Sequence, residues 1–150
     1  MNLKTTLEEN LKDAMRNNQV VERNTIRMVL TSMKLAEVER GKVLEDNEII
    51  AILQKEIKMR KETILEAEKG DRQDIIHTTQ EEIVVLEKYL PTQMSQDEIR
   101  SIVAKIIKDV SAVDIKDMGK VMKVAVTEIA GKASNDLISQ TVRSMLAEKK

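Results

Sequence analysis

Apolar residues recur every three or four positions along most of the chain, which is the period of one face of an α-helix. In residues 1–90 this spacing predicts four helices, over about 7–16, 20–40, 46–69 and from 71 or 74 to 90. In residues 91–150 it predicts three shorter helices, two of them starting after Ser95 and Ser134 or Asn135. The pattern therefore predicts an all-α protein.

The predicted helices begin and end at residues suited to those positions. Capping residues are predicted at Thr5 or Thr6, Asp46, Ser95, and Ser134 or Asn135. Helix ends are predicted at Asn17, Gly41, Gly70, Pro91 and Gly131. The four helices thus form one module and the three helices a second.

The third and fourth predicted helices carry apolar residues at alternating spacings of three and four. Arg60 interrupts the first of these seams. Two such seams joined at Gly70 indicate a long antiparallel helical hairpin with packing like that of a coiled coil.

We place a domain boundary at the single proline, Pro91, which divides the chain into 1–90 and 91–150. Residues 1–90 hold 15 Lys and Arg against 18 Asp and Glu, whereas residues 91–150 hold 10 against 8. This asymmetry is weaker than that of a dedicated nucleic-acid domain.

Composition narrows the possible chemistry. The chain has no cysteine, which excludes disulfides, thiol nucleophiles and cysteine metal sites, and suits a reducing compartment. No apolar run approaches the roughly 20 residues of a membrane span, and the first residues do not resemble an export signal. We expect a cytoplasmic protein without a membrane partner.

No catalytic, metal or cofactor site is predicted. His77 and Glu81 share one helix face, but with no second histidine an ordinary surface pair accounts for them better than a metal site or a catalytic triad. The three Gly-Lys pairs, at residues 41, 119 and 131, do not complete a phosphate-binding loop. Adjacent carboxylates such as Glu81 and Glu82 are predicted to be solvated.

Two groups of basic residues could neutralise phosphates. Lys116, Lys120 and Lys123 are predicted on one face of the sixth helix, with Lys132 just past its end. The second group is Lys58, Arg60, Lys61 and Arg72. The alternative is that both are solvated helix faces. Tyr89 is the only aromatic residue, so any nucleic-acid contact is expected at the backbone rather than by base stacking.

Several short motifs resemble those of the GatB/YqeY family, in order and spacing. They are 26–27, 58–64, 70–74, 89–95, 117–122 and 131–133, so the resemblance spans nearly the whole chain. It implies a cytosolic, all-helical protein similar to the helical and tail domains of the B subunit of the tRNA-dependent amidotransferase, whose tail is thought to hold tRNA.

The resemblance implies tRNA contacts at Lys120, beside Gly119, and at Lys132, beside Gly131. We add Lys116, Lys123 and Arg143 from their positions. A glycine inside a helix is unfavourable by about 1 kcal/mol relative to alanine, so Gly119 needs a reason, either close helix packing or close approach of a ligand. Ser134 stands where the family usually has Asp.

Three functions remain open. The first is a tRNA-binding adaptor without catalytic activity of its own, and with no DNA partner expected. The second is a protein–protein adaptor for a component of aminoacylation or amidation. The third is a part of a glutamine-dependent carbon–nitrogen ligase, a label that a free-standing member would inherit from the amidotransferase.

Overall fold

The helices of this protein are defined by a computed structural model that describes residues 2–148. They are α1 (Leu3–Arg16), α2 (Val20–Arg40), α3 (Asp46–Lys69), α4 (Gln73–Glu87), α5 (Gln96–Asp109), α6 (Met118–Ile129) and α7 (Asn135–Glu148). A 3₁₀ turn, Ile115–Asp117, precedes α6. No strand occurs in the described range, so the predicted all-α class is confirmed.

The chain forms two compact units, residues 1–90 and 91–150. Each unit has its own apolar core. Fully buried side chains of the N-terminal core include Leu7, Ile26, Leu53 and Leu86, and those of the C-terminal core include Ile99, Val121, Ile138 and Val142.

In the N-terminal unit, α2 and α3 run antiparallel with a constant register. Three side-chain contacts join them, Met28–Arg60, Ser32–Glu56 and Arg40–Glu48, and in each the two residue numbers add to 88. The short turn between the helices starts at Gly41, whose φ of 67° is the left-handed conformation predicted for it.

α4 packs along α3, and a buried arginine lies at their contact. Arg60 Nη1 donates to Glu56 Oε2 at 2.9 Å, and Arg60 Nε lies 3.4 Å from Glu82 Oε1 on α4. Arg60 thus occupies its apolar seam because two carboxylates compensate its charge.

The left-handed residue of the α3–α4 turn is Asp71 (φ 52°), whereas Gly70 has a φ of −98°.

Two predicted caps of the N-terminal unit are wrong. Asn2 caps α1, because its Oδ1 accepts from Thr5 N at 2.9 Å, which leaves both threonines inside the helix. Glu45 is the N-cap of α3, in a capping box with Glu48, so Asp46 is the first residue of the helix. The Oδ1 of Asp46 instead accepts from Leu3 N, the first residue of α1. The Asp46 carboxylate of α3 thus accepts a hydrogen bond from a backbone N–H at the start of α1, which has no partner within its own helix.

α4 also ends earlier than predicted, at Glu87 rather than Leu90. Tyr89 N and Leu90 N donate to carbonyls only three residues back, on Leu86 and Glu87. The helix therefore tightens into a turn before Pro91.

The C-terminal unit begins with a segment that is held by hydrogen bonds to backbone carbonyls of the α6–α7 loop. Met94 N donates to Lys132 O at 2.8 Å, and Gln93 Nε2 donates to Gly131 O at 3.0 Å. The predicted capping box of Ser95 and Glu98 is confirmed at the start of α5, with mutual hydrogen bonds of 3.2 Å. The first two bonds attach residues 93 and 94 to the α6–α7 loop, and the capping box fixes the start of α5 at Ser95.

Candidate nucleic-acid interface

All five predicted contact residues are exposed side chains of the C-terminal unit. Lys120 and Lys123 lie on α6, Lys132 in the α6–α7 loop and Arg143 on α7. Lys116 belongs to the 3₁₀ turn, which corrects its predicted place on the sixth helix.

α6 presents its lysines to solvent because its apolar stripe faces the core. Val121, Ala125 and Ile129 are fully buried. Lys120, Lys123 and Thr127, at i, i+3 and i+7, lie together on the exposed face. The Thr127 hydroxyl donates to Lys123 O at 3.0 Å. Of these three side chains, only the two lysines therefore present a charge to solvent.

Two aspartates fix the segment that leads into α6. Asp114 Oδ1 accepts from Lys116 N at 2.9 Å, and Asp117 Oδ2 accepts from Val113 N at 2.9 Å. The Val113 N–H lowers the pKa of Asp117, and the positive charge of Lys120 lowers it further. Asp117 is therefore anionic at neutral pH and committed to a backbone N–H.

The side chains of the five basic residues make no hydrogen bond or ion pair with another described residue. The N-terminal unit differs, because many of its cations are paired. Examples are Lys4–Glu37, Arg16–Asp13, Lys69–Glu66, Arg72–Asp74 and Lys88–Glu22. Lys120 and Lys132 act only through their charge, on Asp117 and Glu98, and none of the five side chains is held in an ion pair that an external anion would have to break.

Gly119 lies at the exposed start of α6, and the packing explanation offered for it is wrong. A Cβ built on Gly119 would meet no atom within 4 Å, apart from its own helix backbone and neighbours. Its backbone is helical, so no left-handed conformation requires glycine either. Neither side-chain crowding nor backbone strain in the described structure explains the residue.

Gly131 and Lys132 have a structural explanation. Ala130 and Gly131 both have positive φ, of 46° and 84°, and end α6. The carbonyls of Gly131 and Lys132 accept the hydrogen bonds of Gln93 and Met94, while Ala133 is buried. Two of the quoted motifs are thus adjacent in space, and only the Lys132 side chain is left for another role.

The second group of basic residues does not form a phosphate site. Arg60 is only 5% exposed and is bound to carboxylates. Arg72 is paired with Asp74 at 3.2 Å, and this bond raises the pKa of the arginine and lowers that of the aspartate. Lys58 and Lys61 remain exposed on α3.

His77 and Glu81 form the predicted surface pair, with Nε2 and Oε1 2.7 Å apart. Among the residues described, no three histidine, aspartate or glutamate side chains are placed to hold a metal ion. None of the described helices combines the length and the apolar character needed to cross a membrane.

Comparison with known proteins gives one family and several fungal relatives. The model of a family described as Yqey-like protein matches residues 4–146. An uncharacterised protein of Schizosaccharomyces pombe is 28% identical over 63% of this chain and 76% of its own. A Kluyveromyces lactis protein named altered inheritance of mitochondria protein 41, mitochondrial, is 33% identical over 69% of this chain and 57% of its own. A protein of the same name from Pyrenophora tritici-repentis is 25% identical over 95% and 80%.

Proposed function

Because the chain belongs to the YqeY-like family, we propose that it is a non-catalytic adaptor that binds tRNA through the phosphate backbone. The contact surface is the start of α6 and its exposed face, with Lys116, Lys120 and Lys123, and includes Lys132. Arg143 on α7 is also assigned to this contact surface.

The observation that carries this proposal is the combination of Gly119 and Lys120. Gly119 leaves the backbone at the start of α6 uncovered, and the Lys120 ammonium beside it forms no ion pair with a described side chain, although its charge acts on Asp117. A phosphate that approached this backbone closely would account for the missing side chain and would be neutralised by the lysines.

The absence of stacking residues favours backbone recognition. Tyr89, the only aromatic residue of the chain, is buried in the core of the N-terminal unit. Lysine contacts to phosphates release counterions, so affinity must fall steeply as salt rises. Discrimination among RNAs then depends on the shape of the folded RNA.

The test is fluorescence anisotropy of labelled tRNA titrated with the 150-residue chain at about 50 and 200 mM salt. The variant Lys120→Glu with Lys132→Glu is expected to lose at least about tenfold in affinity and to show a shallower salt dependence. Lys12→Glu with Lys34→Glu, at exposed positions of the N-terminal unit outside both basic groups, changes the net charge equally and serves as the control.

Equal losses in the two double variants would show that only net charge matters and would contradict the assigned surface. No binding of the wild-type protein at the lower salt would contradict tRNA binding itself.

A further inference from the structure

A groove of about 720 Å³ runs between α2 and α3 in the N-terminal unit. Its floor lies between small residues of α2, Ser32 and Ala36, and Ile52 and Glu56 of α3. Because Ser32 and Ala36 are short, the two helix surfaces do not fill the space between them. The groove is thus a consequence of the residues at the α2–α3 contact.

One exposed row of side chains follows each edge of the groove. The α2 row contains Leu35 and Glu39, and the α3 row contains Ala51, Lys55 and Met59. Leu35 is 62% and Met59 50% exposed. Neither Glu39 nor Lys55 forms an ion pair with another described residue. The other charged side chains of the lining are paired, Arg40 with Glu48 and Glu56 with Arg60, so Glu39 and Lys55 are the charges left to meet a partner. Exposed apolar side chains grouped on one surface are typical of an interface.

We propose that a second copy of this chain occupies the groove, in a two-fold symmetric dimer. This inference is independent of tRNA binding. In a two-fold interface each contact occurs twice with the roles of the copies exchanged. The constant register of α2 and α3 allows the pairs to be derived.

We place the two-fold axis between Ala36 of α2 and Ile52 of α3. These residues lie at the same height along the antiparallel helices, because their numbers add to 88 as in the three contacts described above. A two-fold rotation about this point, perpendicular to the helices, brings residue n of α2 opposite residue n+16 of α3 in the other copy. Glu39 then faces Lys55, and Leu35 faces the small Ala51. Both pairs form twice, so opposite charges meet and the large side chain lies against the small one.

Neighbouring registers lack this complementarity. Shifting the pairing by one helical turn places Glu39 opposite Ala51 or Met59, and Leu35 opposite Asn47 or Lys55. In each shifted register a charged side chain lies against an apolar or small one. The charged group then loses its hydrating water and gains no hydrogen-bond or ionic partner, which is unfavourable. Of these three registers, only the one with both matched pairs places Glu39 opposite Lys55.

Sedimentation equilibrium of the 150-residue chain tests the dimer. The wild type is expected to associate reversibly from 17.1 kDa to about twice that mass. Glu39→Lys and Lys55→Glu, taken singly, each create two like-charge contacts and should raise the dimer Kd at least about tenfold. The double variant exchanges the charges and should return the Kd to within about threefold of the wild type.

Glu62→Lys is the matched control, since Glu62 is an exposed residue of α3 outside the groove. Circular dichroism establishes that each variant keeps its helices. A wild type that stays monomeric up to millimolar concentration overturns the proposal and leaves the groove to a different protein. A dimer whose Kd changes equally in the control, or is not restored in the double variant, overturns it as well.

Disulfide trapping gives a second measurement, because the chain has no cysteine of its own. Glu39→Cys and Lys55→Cys proteins, mixed and oxidised, should form the mixed disulfide. Glu39→Cys alone should not, because the two copies of residue 39 are about 9 Å apart along the helix axis, beyond the separation of about 7 Å that a disulfide spans. Equal trapping with Glu62→Cys in place of Glu39→Cys would contradict the register.

Discussion

Asn10 Nδ2 donates a 2.8 Å hydrogen bond to Tyr89 Oη, which joins α1 to the turn after α4 across 79 residues of sequence. The tyrosine is only 9% exposed, and its burial raises the pKa of the phenol. Its ring fills the core while its hydroxyl reaches a polar partner near the surface, as buried tyrosines generally require. The early end of α4 at Glu87 places it there.

Tyr89→Phe should lower the unfolding free energy of the N-terminal unit by about 1 kcal/mol, since one hydrogen bond is lost and the ring stays. Tyr89→Ala should lower it by about 3–5 kcal/mol because the ring is lost as well. Urea denaturation followed by circular dichroism measures both. Equal losses in the two variants would mean that the ring contributes nothing to the core.

Arg60→Ala should destabilise the N-terminal unit by about 3 kcal/mol, because Glu56 would remain buried without its cation. Lys69→Ala removes an exposed ion pair with Glu66 and should change stability by less than about 0.5 kcal/mol. The fluorescence of Tyr89, the only aromatic residue, reports the unfolding of this unit specifically. Similar effects of the two substitutions would contradict a buried pair.

Acid should destabilise the N-terminal unit partly through Glu37. The N–H of Leu44 lowers the pKa of this carboxyl, and Lys4 lowers it further. Because the folded pKa is lowered, the carboxylate contributes stability above its unfolded pKa of about 4.3, and this is lost as the pH falls through the folded value.

Glu37→Gln should therefore flatten the decline of the urea midpoint as the pH falls from 5 towards 3, measured by tyrosine fluorescence. Glu8→Gln, at an exposed position of α1, is the control and should follow the wild-type profile. A Glu37→Gln profile as steep as that of the wild type would show that other carboxylates cause the decline.

Gly119→Ala separates folding from binding. Since the added Cβ meets nothing within 4 Å, the substitution should stabilise the C-terminal unit by up to about 1 kcal/mol. The same methyl group should weaken tRNA binding if phosphates approach this backbone. Thermal unfolding and anisotropy measure the two effects. A lowered Tm would show that the fold needs this glycine, and an unchanged affinity would contradict close approach of the RNA.

The positions of the helices follow from the sequence because the apolar period and the helix-ending residues act locally. The bounds of α2 and the C-terminal end of α3 agree with those predicted, and Ser95 and Gly41 perform their predicted roles. Where predictions failed, either a neighbouring residue took the predicted role, as Asn2 and Glu45 do as helix caps, or a distant partner took part. Asp46 binds the N–H of Leu3, which no pattern around residue 46 indicates.

The candidate site was predictable only as a set of residue types. The exposure of Lys120 and Lys123 follows from the apolar stripe of α6, but the 3₁₀ turn that holds Lys116 depends on the side-chain bonds of Asp114 and Asp117. The open space around Gly119 depends on what packs near α6. The α2–α3 groove was not predicted, and its signal was the exposed apolar residues of α2, which include Leu35 and Val38.

The division of the chain into two contiguous units bears on its synthesis. Ribosomes add about 5–20 residues per second, so residues 91–150 take roughly 3–12 s to appear. Helical units fold within microseconds to milliseconds. Residues 1–90 contain every part of their own core, down to the Asn10–Tyr89 bond. The first unit can therefore complete its fold vectorially, before the second unit has left the ribosome to compete for its apolar surfaces.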